Sequence, residues 1–252
     1  MNADKNISLS KVPEVTLVFW IIKILATTLG ETGGDAVSMS MDLGYLVGTG
    51  IFSVLFLIAV SAQVSARKFQ PLLYWATIIA TTTVGTTLAD FSTRSLGIGY
   101  AGGSVILFAL LLGSLVVWYR TLGSVAVDTV ASPKSEIFYW VTIMFSQTLG
   151  TALGDWTADT AELGYTGAAL VFSGMLAVVA AAYFWSKISR TVLFWAAFIL
   201  TRPLGAVIGD FLDKPLDHGG LALSRYSASA VLILLVTALV LFIPQKPAKR
   251  AH

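Results

Sequence analysis

The sequence contains no cysteine and only two histidines, and both scarcities limit the chemistry available to it. Without cysteine there are no disulfides, no thiol nucleophiles and no thiolate metal sites. His218 lies in a polar connection and His252 is the last residue, so histidine-rich zinc or haem sites are not expected. We therefore expect no resident cofactor.

Charged residues are also scarce, at 12% of the chain, whereas hydrophobic residues make up 56%. Soluble domains carry about 25% charged residues, so most of this surface is not expected to face water. Apolar runs of about 20 residues, the length that crosses a bilayer, recur along the whole chain. The sequence therefore predicts a multi-pass protein surrounded by the lipid bilayer. The net charge of only +2 predicts no nucleic-acid partner.

Four copies of one pattern occupy most of the chain. Each copy has an aromatic pair ending in tryptophan, a glycine ten residues later and an aspartate five residues after that. The tryptophans are Trp20, Trp75, Trp140 and Trp195, the glycines are Gly30, Gly85, Gly150 and Gly205, and the aspartates are Asp35, Asp90, Asp155 and Asp210. Each copy also holds two apolar stretches. The predicted fold class is an all-α integral membrane protein with eight transmembrane helices, in four parallel two-helix repeats around an axis along the membrane normal.

The predicted segments follow from these copies. They are an N-terminal tail over 1–14, repeats over 15–66, 70–120, 135–187 and 190–243, an inter-half linker over 121–134 and a C-terminal tail over 244–252. Eleven lysines and arginines flank the spans on the side of the tails, whereas three, Arg94, Lys214 and Arg225, flank them on the other. This asymmetry predicts that both tails are cytoplasmic. The expected location is the bacterial cell inner membrane.

The repeated pattern resembles a bacterial membrane-protein family built from tandem repeats of unassigned function, each with two spans and a characteristic tryptophan. The resemblance covers nearly the whole chain and places Trp20, Trp75, Trp140 and Trp195 at the matching positions. It implies the repeat architecture and assigns no activity. Tryptophans at one membrane interface are typical of an aromatic belt, and the repeated glycines are typical of close helix packing.

Charge is confined to the first apolar stretch of each repeat, which carries Lys23, Glu31, Asp35, Asp90, Asp155, Arg202 and Asp210. A charge that faces hydrocarbon costs several kcal/mol, so the first helices are expected to gather around a central shaft. Five deep acids against two deep bases leave three positive charges missing. We expect bound cations or protons to supply them.

Helical periodicity assigns further oxygen-bearing side chains to the faces of the aspartates. The candidate metal ligands are Glu31, Asp35, Asp42, Asp90, Asp155, Asp159 and Asp210. The candidates for lining the substrate path or acting as counter-ions are Lys23, Thr28, Thr83, Thr148, Thr151 and Arg202. Because repeats two and four have Arg94 and Lys214 at the matching outer position, the predicted site is asymmetric and centred on repeats one and three.

Carboxylate and hydroxyl oxygens suit hard divalent cations. The predicted function is membrane transport of such a cation, with manganese and export favoured and with protons exchanged through the carboxylates. Two alternatives stay open: a non-transporting scaffold or sensor, and a transporter of a small organic cation held between acids and Phe91, Trp156 and Phe211. An enzyme is not expected, because no nucleophile motif or catalytic histidine is present.

Overall fold

A computed structural model describes residues 10–249, and the parts of the predicted tails over 1–9 and 250–252 lie outside the described residues. The described chain is helical and contains no strand beyond an isolated bridge between Pro13 and Pro247. Its eight long helices are α1 (Leu17–Asp35), α2 (Gly44–Ser65), α3 (Pro71–Asp90), α4 (Gly99–Leu122), α5 (Pro133–Asp155), α6 (Gly164–Trp185), α7 (Arg190–Asp213) and α8 (Arg225–Phe242).

Seven of these helices are long and apolar enough to cross a membrane. The exception is α5, which has a similar length of 23 residues but carries polar side chains such as Glu136 and Gln147. These polar side chains are buried inside the protein, so they do not meet lipid. The chain is thus a multi-pass membrane protein with internally repeated helices, as the sequence predicts.

The first helices of the repeats form a closed ring. In it α1 packs on α3, α3 on α5, α5 on α7 and α7 on α1. The second helices lie outside, with α2 against α3, α4 against α5, α6 against α7 and α8 against α1. Each second helix therefore packs on the first helix of the next repeat, and α8 completes the cycle on α1. The prediction that the charged first helices gather in the middle is confirmed.

The repeated glycines lie where neighbouring ring helices approach most closely. A Cβ atom at each would overlap a residue of the next helix: Gly30 with Thr82, Gly85 with Gln147, Gly150 with Arg202 and Gly205 with Thr27. These four partners are equivalent to one another, since each follows its repeat tryptophan by seven residues. One contact thus occurs four times around the ring, and it requires glycine because a larger residue would separate the helices.

The aromatic pairs close one end of the ring. Each repeat tryptophan contacts the aromatic residue before the tryptophan of the preceding repeat, in the pairs Phe19–Trp75, Tyr74–Trp140, Tyr139–Trp195 and Phe194–Trp20. Trp75, Trp140 and Trp195 are at most 5% exposed. These three tryptophans therefore pack against aromatic side chains of the ring and do not face lipid, whereas their expected level at one membrane interface stays a prediction.

Segments outside the helices cover this aromatic end. Near the N-terminus, Glu14 donates a backbone hydrogen bond to the carbonyl of Lys246, at 2.8 Å, and Lys11 forms an ion pair with Glu136 at 2.6 Å. The connection between α4 and α5 contains a short 3₁₀ turn, Val127–Thr129, whose Val127 is buried in the same cluster. These segments therefore lie at the aromatic end of the ring and not at the opposite end.

Candidate ion-binding site

The repeated aspartates form one layer at that opposite end of the ring. Asp35, Asp90, Asp155 and Asp210 are each no more than 3% exposed. In repeats one to three the aspartate is the last residue of its α-helix, and a five-residue π-helical turn follows it: Ala36–Ser40, Phe91–Ser95 and Trp156–Thr160. In repeat four, α7 continues to Asp213 without such a turn. The backbone after the aspartate therefore differs between the fourth repeat and the other three.

The π-helical turns move two candidate ligands away from the layer. Asp42 is exposed with a backbone φ of 55°, and Asp159 is exposed in its turn. The prediction that they share the faces of Asp35 and Asp155 is wrong, because it assumed about 3.6 residues per turn throughout, whereas a π-helical turn contains more.

Two basic side chains each bind two aspartates of the layer. Arg94 binds Asp90 of its own repeat at 3.0 Å and Asp155 of the next repeat at 3.2 Å. Lys214 binds Asp210 of its own repeat at 3.0 Å and Asp35 of the next at 2.5 Å. Each cation follows its own aspartate by four residues, the spacing at which helical side chains meet.

Arg225 of α8 adds a third cation to this end of the ring. Its guanidinium lies 3.0 Å from Asp213 and 3.8 Å from Asp35. With Arg94 and Lys214, it brings three basic side chains to the acids that the sequence count placed in the outer flanks. Asp213 is itself a buried acid, so this end of the ring also holds one more carboxylate than that count included, and the expectation of bound cations or protons stays a prediction.

Three carboxylates lie close enough together to share one ion. Oxygen atoms of Glu31, Asp35 and Asp210 are all within 4.8 Å of one another, and all three residues are buried. Among residues 10–249 no other group of acids or histidines has this spacing. The cluster joins repeats one and four, not one and three as predicted. The reason is the close approach of α7 to α1, where a Cβ on Gly209 would lie 2.6 Å from the Cβ of Glu31.

Arg202 occupies the ring beside Glu31. Its Nη2 lies 2.9 Å from a Glu31 carboxylate oxygen, 2.6 Å from the Thr86 hydroxyl and 2.5 Å from the Thr151 hydroxyl, and these three acceptors share its two protons. These three acceptors are equivalent positions of repeats one, two and three, so the guanidinium that reaches all of them lies near the ring axis. Arg202 is thus the counter-ion of Glu31, and the Thr151 hydroxyl accepts a hydrogen bond from Arg202.

The remaining candidates do not contact the acids. Lys23 is fully buried with its ammonium 4.2 Å from the ring centre of Phe198, and it has no hydrogen-bond partner among the described residues. It therefore forms no ion pair with the acids. The hydroxyls of Thr28, Thr83 and Thr148 each donate to the carbonyl four residues earlier in their own helix, at 2.7 to 3.0 Å.

The aromatic residues proposed for an organic-cation pocket make no ring contact with one another within residues 10–249. Phe91, Trp156 and Phe211 directly follow three of the buried aspartates, and adjacent residues of a helix point about 100° apart. Trp156 is 40% exposed, and within the described part of the chain no ring contact joins it to the other two. The organic-cation transporter that the sequence left open as an alternative therefore stays a prediction.

The repeat unit also identifies the family of the chain. No curated protein and no solved structure matches it. The family model described as Repeat of Unknown Function (DUF347) matches four times, over residues 18–69, 73–124, 138–189 and 193–244. Each match contains one repeat tryptophan and one layer aspartate, and together they span most of the sequence. The chain therefore belongs to the family of proteins built from the Repeat of Unknown Function (DUF347).

Proposed function

We propose that this protein transports a hard divalent cation across the bacterial cell inner membrane, and that Glu31, Asp35 and Asp210 bind the cation. The observation that carries this proposal is the spacing of the three buried carboxylates, whose oxygens lie within 4.8 Å of one another. Acids within a membrane protein are costly to retain and usually mark an ion or proton pathway. The aspartate end of the ring is also the end that the terminal segments leave uncovered.

The ligand set favours manganese as the substrate. Carboxylate oxygens suit magnesium, calcium and manganese. Met39 adds a softer donor beside the acids, since its sulfur lies 4.0 Å from the Lys214 nitrogen that binds Asp35 and Asp210. A thioether beside carboxylates is better matched to manganese than to the harder magnesium or calcium.

In the proposed transport, the metal ion and the Lys214 ammonium bind the same carboxylates in turn. Its ammonium binds Asp35 and Asp210, the same carboxylates that we assign to the metal. A divalent cation that enters the cluster displaces this ammonium, and Lys214 or protons neutralise the acids again after the metal leaves. The acids are thereby never left without positive charge, which would be costly in a buried site. We propose export as the direction, coupled to protons through these carboxylates.

The same proposal includes eight spans with both termini in the cytoplasm. The lysines and arginines on the tail side are Lys11, Arg67, Lys68, Arg120, Lys134, Lys187, Arg190, Lys246 and Lys249. On the other side Arg94, Lys214 and Arg225 all bind aspartates. Excess basic charge in short loops is typical of the cytoplasmic side, and α5 crosses as the eighth span because its polar residues face the ring.

Metal flux in liposomes tests the proposal. The full-length protein is reconstituted and uptake of Mn²⁺ is measured for the wild type, Asp35→Asn, Asp210→Asn and the matched control Asp42→Asn, whose carboxylate is exposed outside the layer. We expect Asp35→Asn and Asp210→Asn to reduce flux about tenfold or more and Asp42→Asn to behave as the wild type. Equal flux in all four proteins would contradict the proposal.

A second candidate is a non-transporting membrane scaffold, and one observation favours it. Glu31 and the four layer aspartates each have a basic partner in the chain. Several of these pairs join different repeats, such as Arg202 with Glu31 and Arg94 with Asp155. In a scaffold these pairs only hold the helices together. Thermal unfolding across a panel of divalent chlorides separates the two functions, because a scaffold predicts no metal-dependent rise in melting temperature.

A further inference from the structure

On the outside of the ring, each second helix packs mainly on one ring helix and borders a groove with the ring helix next to that one. Three of these grooves are closed by segments of the chain. At α3 and α8, the Trp75 indole donates to Gln245 at 2.8 Å, and at α7 and α4, the Trp195 indole donates to the carbonyl of Val125 at 3.0 Å. Gln245 and Val125 both lie just beyond the ends of these second helices.

The groove between α2 and α5 is closed by the N-terminal segment. The Lys11 ammonium donates to the carbonyls of Gln63 and Val64 at the end of α2, at 3.2 and 3.0 Å. The same ammonium binds Glu136 in the first turn of α5 at 2.6 Å. One lysine thus joins the two helices that border this groove.

The fourth groove, between α1 and α6 with α7 as its floor, has a volume of about 450 Å³. The connection after α6 is only residues 186–189, which is too short to fold back into it. Trp20 lines this groove, and no described residue accepts a hydrogen bond from its indole. The same holds for the buried Trp140 indole, whereas the Trp75 and Trp195 indoles have acceptors. No described segment therefore fills this groove.

The walls of this groove are apolar and its mouth is basic. Ile24, Leu176, Val179, Leu193 and Ala197 line the interior. Arg190 lies at one end, where its guanidinium is 4.1 Å from the ring centre of Tyr183 and donates to the Tyr183 carbonyl. The residues equivalent to Arg190 in the other repeats are Val15, Gln70 and Ser135, so this cation is particular to this groove.

The length of the groove matches one leaflet of a bilayer. Along α7 it extends from Arg190 to Thr201, which is about 16 Å at 1.5 Å per residue. The hydrocarbon core of a bilayer is about 30 Å thick, so one leaflet contributes about 15 Å. The apolar wall therefore ends near the middle of the membrane if Arg190 lies at the headgroup level.

We propose that this groove binds one acyl chain of an anionic phospholipid whose phosphate is held by Arg190. The planar guanidinium binds phosphate oxygens with paired hydrogen bonds, and the Trp20 indole supplies a further donor. Anionic lipids favour basic residues at the membrane surface. The exposed face of α6 leaves the groove open to the bilayer, from which the chain enters sideways.

Native mass spectrometry of the full-length protein tests this site with phosphatidylglycerol and phosphatidylcholine as the probes. We expect the wild type to retain one phosphatidylglycerol more tightly than phosphatidylcholine. Arg190→Gln is expected to weaken phosphatidylglycerol binding about fivefold, whereas Arg67→Gln, at an exposed arginine beyond α2, leaves it unchanged.

A second pair of variants tests the groove itself. Ala197→Phe fills the floor of the groove, and Ala177→Phe places the same side chain on an exposed position of α6 outside it. We expect Ala197→Phe to lose the retained lipid and Ala177→Phe to keep it, with both variants unfolding within a few degrees of the wild type. Retention of the lipid by Ala197→Phe, equal binding of both lipids, or equal effects of the two arginine variants overturns the proposal.

Discussion

Lys214, the residue that follows α7, and Asp35 of α1 form an ion pair at 2.5 Å, and this pair joins the fourth repeat to the first. The two residues are 179 positions apart in the sequence. The ring is thus held closed by charge as well as by helix packing. Because Asp35 is also a ligand in the proposed metal cluster, closure of the ring and occupancy of the cluster depend on the same carboxylate.

Removal of the Lys214 charge is expected to strengthen metal binding. In Lys214→Met the carboxylates of Asp35 and Asp210 lose the ammonium they share, so a divalent cation becomes the most favourable replacement. We expect affinity for Mn²⁺ to rise roughly tenfold, since a buried unpaired charge costs a few kcal/mol. The rise in melting temperature with added Mn²⁺ measures this. Arg94→Met is the control, and an equal or larger rise there would contradict the assignment of the site.

Loss of Arg202 is expected to destabilise the ring. Arg202→Met leaves the Glu31 carboxylate, which is 2% exposed, without its counter-ion. Removal of one partner from a buried ion pair costs about 3–5 kcal/mol in the free energy of unfolding. The double variant Arg202→Met with Glu31→Gln should recover part of this loss, because no buried charge then stays unpaired. Unfolding in detergent measures all three proteins, and a double variant less stable than the single one would contradict the explanation.

Close packing at the repeated glycines predicts a position-dependent effect of one methyl group. In Gly205→Ala the new Cβ overlaps Thr27 of α1, so we expect a loss of about 1–3 kcal/mol from overpacking. Gly174→Ala is the matched control on α6, where a Cβ meets open space and alanine favours the helix. Thermal unfolding of both variants decides the comparison. A Gly205→Ala protein as stable as the control would show that the ring helices are free to separate there.

The absence of cysteine makes the proposed topology directly measurable. Single variants Lys68→Cys and Leu96→Cys place one thiol at each end of the ring, both at exposed positions. If the termini are cytoplasmic, a membrane-impermeant maleimide added to intact cells labels the thiol at 96 and leaves that at 68 unlabelled until the cells are opened. The reverse pattern would invert the proposed orientation.

Most of the architecture follows from the sequence because repetition and charge act on every copy. A glycine ten residues after each tryptophan predicts the helix contact that Gly30 and its equivalents make. Charges such as Glu31 and Arg202 predict which helices lie inside, because hydrocarbon excludes them. These inferences need only the period of the pattern and the cost of a buried charge.

The details of the site do not follow from the same rules. The π-helical turn after Asp35 changes the direction of Asp42, and no local sequence rule applied to the repeat signals that turn. Arg94 and Lys214 could have been paired with Asp90 and Asp210 from their four-residue spacing. Arg225 could not, because it reaches Asp35 from α8 only once the ring has closed.

The position of Arg202 near the axis constrains how such a protein can originate. Four identical two-helix subunits, assembled symmetrically, would direct four guanidinium groups to one point, where like charges repel. A single chain avoids this, since Thr27, Thr82 and Gln147 stand at the equivalent positions. Fusion of the repeats into one gene therefore permits a lone central cation that a homotetramer of the same units is unable to accommodate.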